Sequence, residues 1–419
     1  MSINLHAGDC RDVLASLPDA SVDAVVTDPP YELGFMGKKW DGTGIAYDVA
    51  MWAEVLRVLK PGGHLLSFGG TRTWHRMACA VEDAGFEMRD SIAWLFGSGF
   101  PKSLDVGKAI DKAAGAEREV VGFDAAKARP NKTTFAKVPD GTDVSGHGLA
   151  GVRDNGATLT APATPDAAKW DGWGTALKPA HEPIVVARKP FPTTVAANVV
   201  EHGTGALNID GCRIGTDERT YGSSSAPGGN AVRLSGGDGR DAANARAYAN
   251  RSKEMPPTTV AGRWPANVVL DDATATILDE QSGHSTSPPV GSVAVKRALV
   301  GQVAKGDEAA RISPNGHGDS GGASRFFYCA KAPTKERPRH DDGTAHPTVK
   351  PLTLMRWLVR LVTPPGGTVL DPFTGSGTTL EAALIEGFHA IGIEANPDYL
   401  PLIRQRLAPH DDTLFGAAS

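Results

Sequence analysis

The sequence predicts an α/β fold in which a doubly wound, mostly parallel sheet is divided by a long irregular insert. In residues 1–103, short apolar runs alternate with segments of helical periodicity, and the same alternation returns after residue 350. Between these parts, residues 104–324 are dominated by Gly, Pro, Ser, Thr, Asn and Ala, and the periodicity fades. Strands that alternate with helices form parallel sheets. Each end of the chain therefore predicts a parallel sheet flanked by helices.

Strands and helices alternate through the first half. Apolar residues recur every three or four positions from Val49, which predicts a helix that stops at Lys60-Pro61-Gly62-Gly63. A Gly8-Asp9 turn ends the first predicted strand, and this aspartate is also well placed to cap the next helix. The predicted elements of this half lie at 3–7, 11–17, 22–27, 49–59, 65–68, 72–84, 91–96 and 103–114.

The sequence Asp28-Pro29-Pro30-Tyr31 follows the buried strand predicted at 22–27. Two successive prolines cannot continue a helix or donate to a sheet ladder, so the chain must leave the strand in an extended turn. Open α/β sheets bind their ligands at this end of their strands. A carboxylate, a stiff Pro-Pro carbonyl and an aromatic ring, set side by side, suit a flat ring that carries an amino group.

A glycine-rich loop connects a strand and a helix in the second half. The sequence Asp371-Pro372-Phe373-Thr374-Gly375-Ser376-Gly377-Thr378-Thr379 follows a strand-like run at 368–370 and precedes an apolar segment at 380–385. The glycines let the backbone approach a ligand, and the helix N-terminus offers free N–H groups. The next predicted strand ends in Glu394, 17 residues beyond Gly377, where an acid can bind both ribose hydroxyls. Helices are also predicted at 352–362 and 397–407.

These two motifs resemble those of the DNA amino-methyltransferases, which move a methyl group from S-adenosylmethionine to an exocyclic base nitrogen. The Asp28 to Tyr31 turn resembles their catalytic motif, and Asp371 to Gly377 resembles their Phe-x-Gly-x-Gly cofactor loop. The catalytic motif comes first and the cofactor loop last, as in the beta group of restriction–modification and phage methylases. The resemblance implies a Rossmann-like methyltransferase sheet in this circular order, and it covers roughly residues 1–105 and 325–408.

The resemblance also implies roles for individual residues. Asp28 and the Pro29 carbonyl would accept hydrogen bonds from the target amine, Pro30 would stiffen the turn, and Tyr31 would stack on a base flipped out of the duplex. His346-Pro347-Thr348-Val349-Lys350-Pro351 resembles the segment that closes over the methionine end of the cofactor. The cofactor-binding residues implied are Asp9, Thr348, Lys350, Asp371, Phe373, Gly375, Ser376, Gly377, Thr378 and Glu394. No metal is implied.

Four regions are predicted along the chain. Residues 1–105 form the catalytic half of the methyltransferase domain, and 325–408 form the cofactor-binding half. Residues 106–324 form an insert with a target recognition region and flexible loops at 221–262 and 281–324, and 409–419 form a tail. Patches of the insert, including Thr175 to Pro190, also occur in relatives of the resembling family.

Composition restricts the function further. The net charge is −5, so contacts to DNA phosphates would have to be local, and basic residues cluster at 127–137 and 325–339. The four cysteines form no Cys-x-x-Cys pair, which predicts neither a zinc site nor a disulfide framework. The apolar runs are too short to span a bilayer. We expect a protein of the bacterial or phage-infected cytoplasm that binds double-stranded DNA; the resemblance adds a cognate restriction enzyme and a homodimer as further partners.

Several functions remain open at this stage. The favoured one is methylation of adenine N6 in DNA, because relatives that methylate cytosine N4 more often have Ser in place of Asp28. Alternatives are an N4-cytosine DNA methyltransferase, an RNA or protein-amide methyltransferase, and an inactive DNA-binding scaffold. Methylation of cytosine C5 is disfavoured, because that reaction uses a cysteine nucleophile, usually after a proline, and no Cys here follows a Pro.

Overall fold

The computed structural model describes residues 1–34, 39–99, 103–123, 129–130, 152–153, 158–221, 258–286, 319–330 and 349–410. Ten helices lie within these residues: α1 Cys10–Ser16, α2 Val49–Val58, α3 Trp74–Asp83, α4 Val106–Ala113, α5 Pro165–Lys169, α6 Val195–His202, α7 Asp272–Ser282, α8 Leu352–Val362, α9 Thr378–Ile385 and α10 Leu400–Leu407. The strands of the main sheet and of four small two-stranded ladders are β1 Ile3–Ala7, β2 Val22–Thr27, β3 Leu59–Phe68, β4 Glu87–Leu95, β5 Val120–Phe123, β6 Arg129–Pro130, β7 Val152–Arg153, β8 Thr158–Thr160, β9 His181–Arg188, β10 Ile214–Tyr221, β11 Thr258–Arg263, β12 Val268–Asp271, β13 Ser285–Thr286, β14 Ser320–Gly321, β15 Tyr328–Ala330, β16 Thr368–Asp371 and β17 His389–Glu394.

The main sheet has nine strands in the order β1-β17-β16-β2-β3-β9-β4-β12-β15. Its strand pairs are parallel except for the two that involve β9, which runs antiparallel to both β3 and β4. The predicted mostly parallel α/β fold is therefore confirmed. The antiparallel β9 was not predicted, because it lies in the insert, where the sequence lacks a clear periodicity. Its central residues, 184–187, are nevertheless buried.

Helices cover both faces of this sheet. Successive residues of a strand point to opposite faces. Accordingly Val25 belongs to a buried cluster with Trp52 of α2, while Val26 belongs to a separate cluster with Trp357 of α8. In β3, Leu65 and Leu66 divide between the same two clusters. Because both faces are covered, every residue of β2 and most residues of β3 are buried.

Several predicted boundaries shift in the structure. The predicted helix at 49–59 ends at Val58, and β3 begins at Leu59 and runs through Lys60 to Gly63. Residues predicted to separate a helix from a strand are thus part of the strand. Pro61 lies where the pairing of β3 with β2 shifts register between Leu59 and His64, and the N–H of the next residue, Gly62, donates to the Lys189 carbonyl at 3.1 Å. The predicted helix at 103–114 is shorter and spans Val106–Ala113, with Asp105 as its N-cap.

By internal contacts the chain divides into two compact units. Met1–Ser98 and Ala180–Ser419 form the first unit, which holds the nine-stranded sheet. Gly99–Pro179 form the second unit, which holds α4, α5 and the ladders of β5 with β8 and β6 with β7. Within the second unit, the Asp111 carboxylate accepts hydrogen bonds from Arg118 and from the backbone N–H groups of Ala163 and Thr164.

Some predicted features lie outside the described residues. They are Thr348, most of the tail predicted at 409–419, most of the loops predicted at 221–262 and 281–324, and most of the basic segments at 127–137 and 325–339. Among the helices that the structure describes, none has the length and apolar character needed to cross a membrane.

Candidate active site

The predicted motifs meet at one edge of the nine-stranded sheet. Strand β16 pairs with β2, so the turns that follow them, at Asp371 and Asp28, are neighbours. On the other side β17 pairs with both β16 and β1, which places Glu394 between the Asp371 loop and the Gly8-Asp9 turn. Strands β16 and β2 are neighbours in the sheet. The next strand after β16 in the chain, β17, lies on one side of this pair, and the next strand after β2, β3, lies on the other side. Such a switch point is where open α/β sheets bind ligands.

A cavity of about 710 Å³ opens at this edge. Its size lies in the range of small-molecule and cofactor sites. Nearly all of the predicted site residues line it: Asp9, Asp28, Pro29, Pro30, Tyr31, Lys350, Asp371, Phe373, Gly375, Ser376, Thr378 and Glu394. Gly377 lies within the same loop, between Ser376 and Thr378, and Thr348 falls outside the described residues.

The acidic turn after β2 is held by charged side chains from distant parts of the sequence. The Lys350 ammonium donates to Asp28 Oδ2 at 2.6 Å and to the Tyr31 hydroxyl at 3.1 Å. It also lies 3.4 Å from Glu182 Oε2. Burial alone would lower the pKa of Lys350, but the charges of Asp28 and Glu182 outweigh it and raise that pKa. Lys350 is therefore a charged lysine although only 8% of its surface is exposed.

Tyr31 is fixed at both ends. Its hydroxyl donates to Glu182 Oε2 at 2.9 Å, and its backbone carbonyl accepts from the Thr73 hydroxyl at 2.8 Å. A Cβ atom at Gly70 would lie 3.1 Å from the Tyr31 ring, so glycine gives the ring its space there. Burial, followed by the charges of Asp28 and Glu182, raises the pKa of Tyr31, which keeps its hydroxyl protonated.

The glycine-rich loop is held through its backbone groups, which bond to two side chains from outside the loop. Gly377 has φ 81°, a left-handed conformation that favours glycine, and it is the N-cap of α9. The Gly375 N–H donates to Glu394 Oε2 at 2.7 Å, and the Asn396 N–H donates to Glu394 Oε1 at 2.8 Å. The side chain of Arg406 donates to the Ser376 carbonyl at 2.8 Å. The loop thus presents a carboxylate and a helix N-terminus to the same cavity.

Two carboxyl groups of this half are buried. Burial raises the pKa of Glu394 to about 7 and the pKa of Asp371 to about 6. Asp371 Oδ1 accepts from the Thr27 hydroxyl at 2.7 Å, a buried bond that connects the ends of β16 and β2. This contact joins the cofactor-type loop to the strand that carries the acidic turn.

Asp9 caps α1, the structural role that its sequence position equally allowed. One of its carboxylate oxygens accepts the Arg11 backbone N–H at 2.9 Å, and the Arg11 side chain donates to both oxygens at 3.0 and 2.6 Å. A carboxylate oxygen can accept more than one hydrogen bond. The capping contact therefore leaves room for a ligand contact, and Asp9 lines the cavity.

Two features of the site were not predicted. Glu182 was not singled out from the sequence, although it belongs to the segment at 175–190 that was noted in the insert; it reaches the site because β9 is antiparallel and begins where its neighbours end. Lys350 was assigned to the cofactor side, but the structure places its ammonium on Asp28. Charged partners that join across 322 residues leave no local signal.

The fold and this edge define a Rossmann-like α/β protein of the methyltransferase class. A profile of the N6/N4 family, described as DNA methylase, matches residues 22–405. The chain therefore belongs to the N6/N4 DNA methylase family. This family depends on S-adenosylmethionine, so the predicted cofactor is confirmed at the level of the family.

Individual relatives match over shorter stretches. The type II methyltransferase M.ScaI of Streptomyces caespitosus is 39% identical over 74 residues, which cover 18% of this chain and 24% of that protein. The DNA adenine methyltransferase YhdJ of Escherichia coli K12 is 42% identical over 67 residues, which cover 16% of this chain and 23% of that protein. The match spans less than a third of the length of either relative. In structure, the DNA modification methylase TTHA0409 of Thermus thermophilus is 18% identical with a TM-score of 0.40, over 99% of both chains.

Proposed function

We propose that this protein transfers a methyl group from S-adenosylmethionine to the exocyclic N6 of adenine in double-stranded DNA. The observation that carries the proposal is Asp28, which lines the cavity and whose buried carboxylate oxygen Oδ1 has no hydrogen-bond partner among the described residues. A buried acceptor without a partner is costly, so its position beside a ligand cavity suggests that a ligand N–H supplies the bond. An exocyclic amine offers that donor.

The residues of the other half suit S-adenosylmethionine. Glu394 at the end of β17 would accept bonds from the two ribose hydroxyls, and Asp9 would accept one from the adenine amine. Asp371, Phe373, Gly375, Ser376, Gly377 and Thr378 would form the wall of the cofactor site. When bound, the cofactor supplies an activated methyl group on a sulfonium sulfur. The cavity that these residues line has a volume of about 710 Å³, which is in the size range of cofactor sites.

The chain's own residues would prepare the amine. The lone pair of the amine nitrogen is delocalised into the ring of the base. Asp28 and the Pro29 carbonyl would accept hydrogen bonds from the two N–H groups of the amine and so localise the lone pair on nitrogen. Tyr31, held by Glu182 and Thr73, would stack on the flipped base and orient it. Positioning of the two reacting groups supplies much of the acceleration in such a transfer.

N6-adenine is favoured over N4-cytosine by the Asp at the first position of the motif and by the matching segment of YhdJ, which is named a DNA adenine methyltransferase. N4-cytosine methylation is the second candidate, since the family includes both activities in its name. We further propose that the enzyme acts in the cytoplasm of a bacterial or phage-infected cell, with a cognate restriction enzyme as functional partner and a homodimer as its assembly.

The decisive experiment is mass spectrometry of nucleosides from methylation-free plasmid incubated with the protein and S-adenosylmethionine. We expect N6-methyladenine. N4-methylcytosine would retain the mechanism and overturn the base assignment. If no modified nucleoside formed while calorimetry showed cofactor binding, DNA would be excluded as the substrate of this chain alone.

A further inference from the structure

A cluster of four polar side chains at the acidic turn suggests a role for Lys350, which has none in the reaction described above, and a second role for Glu182. The cluster consists of Asp28, Tyr31, Glu182 and Lys350, which the sequence brings from three distant regions. We propose that Lys350, anchored by Glu182, is a positioning residue that holds Asp28 in the orientation that receives the substrate amine. This inference rests on the proposed function and deepens it.

The contacts of Lys350 support this role. An ammonium group has three N–H donors. Asp28 Oδ2, the Tyr31 hydroxyl and Glu182 Oε2 lie 2.6, 3.1 and 3.4 Å from the Lys350 nitrogen. These three partners account for all three donors. Lys350 therefore acts on the acidic turn, and its charge is not directed to the glycine-rich loop.

The two oxygens of Asp28 differ in a way that follows from this contact. Oδ2 is held by Lys350, while Oδ1 is buried and has no hydrogen-bond partner in the described part of the chain. A free carboxylate could rotate to expose either oxygen. With Oδ2 fixed by a charge-assisted bond, Oδ1 is the acceptor that remains for the amine.

Glu182 completes the arrangement from the opposite side. Its Oε2 atom accepts a hydrogen bond from the Tyr31 hydroxyl at 2.9 Å and lies 3.4 Å from the Lys350 nitrogen. It therefore restrains both the residue that would stack on the base and the residue that holds Asp28. Because β9 is a rigid central strand, Glu182 provides a fixed reference for these two side chains.

The test compares Lys350→Met and Glu182→Gln with the wild type and with Lys60→Met. Lys60 makes a similar contact, 2.6 Å from Asp23 Oδ1, and does not line the cavity. For each protein, calorimetry gives the affinity for S-adenosylmethionine, and single-turnover methylation of DNA at saturating cofactor gives the transfer rate across pH. Thermal melting checks that each variant is folded.

We expect Lys350→Met to transfer methyl about 100-fold more slowly while its cofactor affinity changes by less than about twofold, because Asp28 loses its orientation. The rate of this variant should lie below that of the wild type at every pH measured. Glu182→Gln should slow transfer by about tenfold with cofactor affinity retained, and Lys60→Met should match the wild type.

Other outcomes would overturn the inference. Cofactor affinity reduced tenfold in Lys350→Met, with an unchanged single-turnover rate at saturation, would place Lys350 on the cofactor instead. If Lys350→Met does not fold, Glu182→Gln decides alone: an unchanged rate refutes the positioning role. If the wild type transfers no methyl to DNA, the proposed function itself fails before any variants are compared, and the positioning role fails with it.

Discussion

The acidic turn after β2 and the glycine-rich loop after β16 lie side by side at one sheet edge, but they are held in different ways. In the loop, the backbone groups of Gly375 and Ser376 bond to the nearby side chains of Glu394 and Arg406, and within the described residues a single side-chain bond, from Thr27 to Asp371, comes from a distant part of the sequence. The turn depends on side chains from far away, since Lys350 is 322 residues from Asp28 and Glu182 is 151 residues from Tyr31.

This difference suggests that the two regions have different functions. A backbone cradle offers fixed dipoles and a close approach, which suit a cofactor that is always the same. Charged side chains held in a cluster orient reacting groups, which suits the step in which charge develops. We expect changes at the turn to affect transfer and changes at the loop to affect cofactor binding.

The largest effect is expected for Asp28→Ala. Loss of the acceptor should reduce the transfer rate by about 10³-fold or more, because a positioned acid–base group contributes roughly 10²–10⁴-fold, while S-adenosylmethionine still binds. Single-turnover methylation and calorimetry measure the two quantities separately. Asp12→Ala, at an exposed position of α1, is the control. If Asp28→Ala transferred methyl at the wild-type rate, the acidic turn would not have the role in transfer that distinguishes it from the glycine-rich loop.

The matching change in the loop is Gly375→Ala. Gly375 has φ 54°, so alanine there should cost roughly 1–2 kcal/mol and displace the N–H that meets Glu394. We expect cofactor affinity to fall about tenfold, with a near-normal rate at saturating cofactor. Gly387→Ala is the control, since Gly387 has φ 86°, has open space around its Cβ position and does not line the cavity.

The two variants should be similarly destabilised in urea unfolding, and only Gly375→Ala should bind the cofactor more weakly. Equal cofactor affinity in both would mean that the loop backbone does not contact the ligand. A reduced transfer rate of Gly375→Ala at saturating cofactor would mean that the loop also affects methyl transfer, against the inference that it affects cofactor binding alone.

The carboxyl group of Glu394, which accepts a hydrogen bond from the glycine-rich loop, should make the free energy of unfolding depend on pH. The pKa of Glu394 is raised to about 7 by burial, above its value in the unfolded chain, so the folded state binds the proton more strongly. Its contribution is full below about pH 4 and is lost as the pH rises through about 7. Asp371, with its pKa raised to about 6, acts in the same direction.

We therefore expect the free energy of unfolding to fall from pH 5 to pH 7.5 less steeply in Glu394→Gln than in the wild type, by up to about 1 kcal/mol per pH unit. Urea denaturation at several pH values measures this slope. Glu82→Gln, at an exposed position of α3, should leave it unchanged. Equal slopes in Glu394→Gln and the wild type would show that Glu394 is ionised throughout this range.

The smallest effect is expected for Asp9→Asn. Asparagine caps a helix as well as aspartate does, so stability should change little beyond the loss of the exposed Arg11 pair. The amide has only one acceptor oxygen, and a bond to the cofactor amine would be lost, which should weaken binding about fivefold. Asp105→Asn, the same change at the N-cap of α4, is the control. Unchanged affinity would make Asp9 a capping residue alone.

Much of this organisation followed from the sequence. The strand–turn and strand–loop–helix patterns around Asp28 and Gly375 are local, and short-range chemistry of Pro and Gly determines them. The alternation of elements predicted the mostly parallel sheet, and the structure places the motifs Asp28 to Tyr31, Asp371 to Thr378 and Glu394 around one cavity.

Only the tertiary structure decided what surrounds Asp28. The position of Glu182 depends on the antiparallel insertion of β9 between β3 and β4, and the position of Lys350 depends on how the segment before α8 meets β2. Neither contact has a period or a spacing in the sequence, because each joins residues more than a hundred positions apart. Local patterns specified the elements and the two motifs. Packing between segments distant in sequence specified which charges meet the acidic turn.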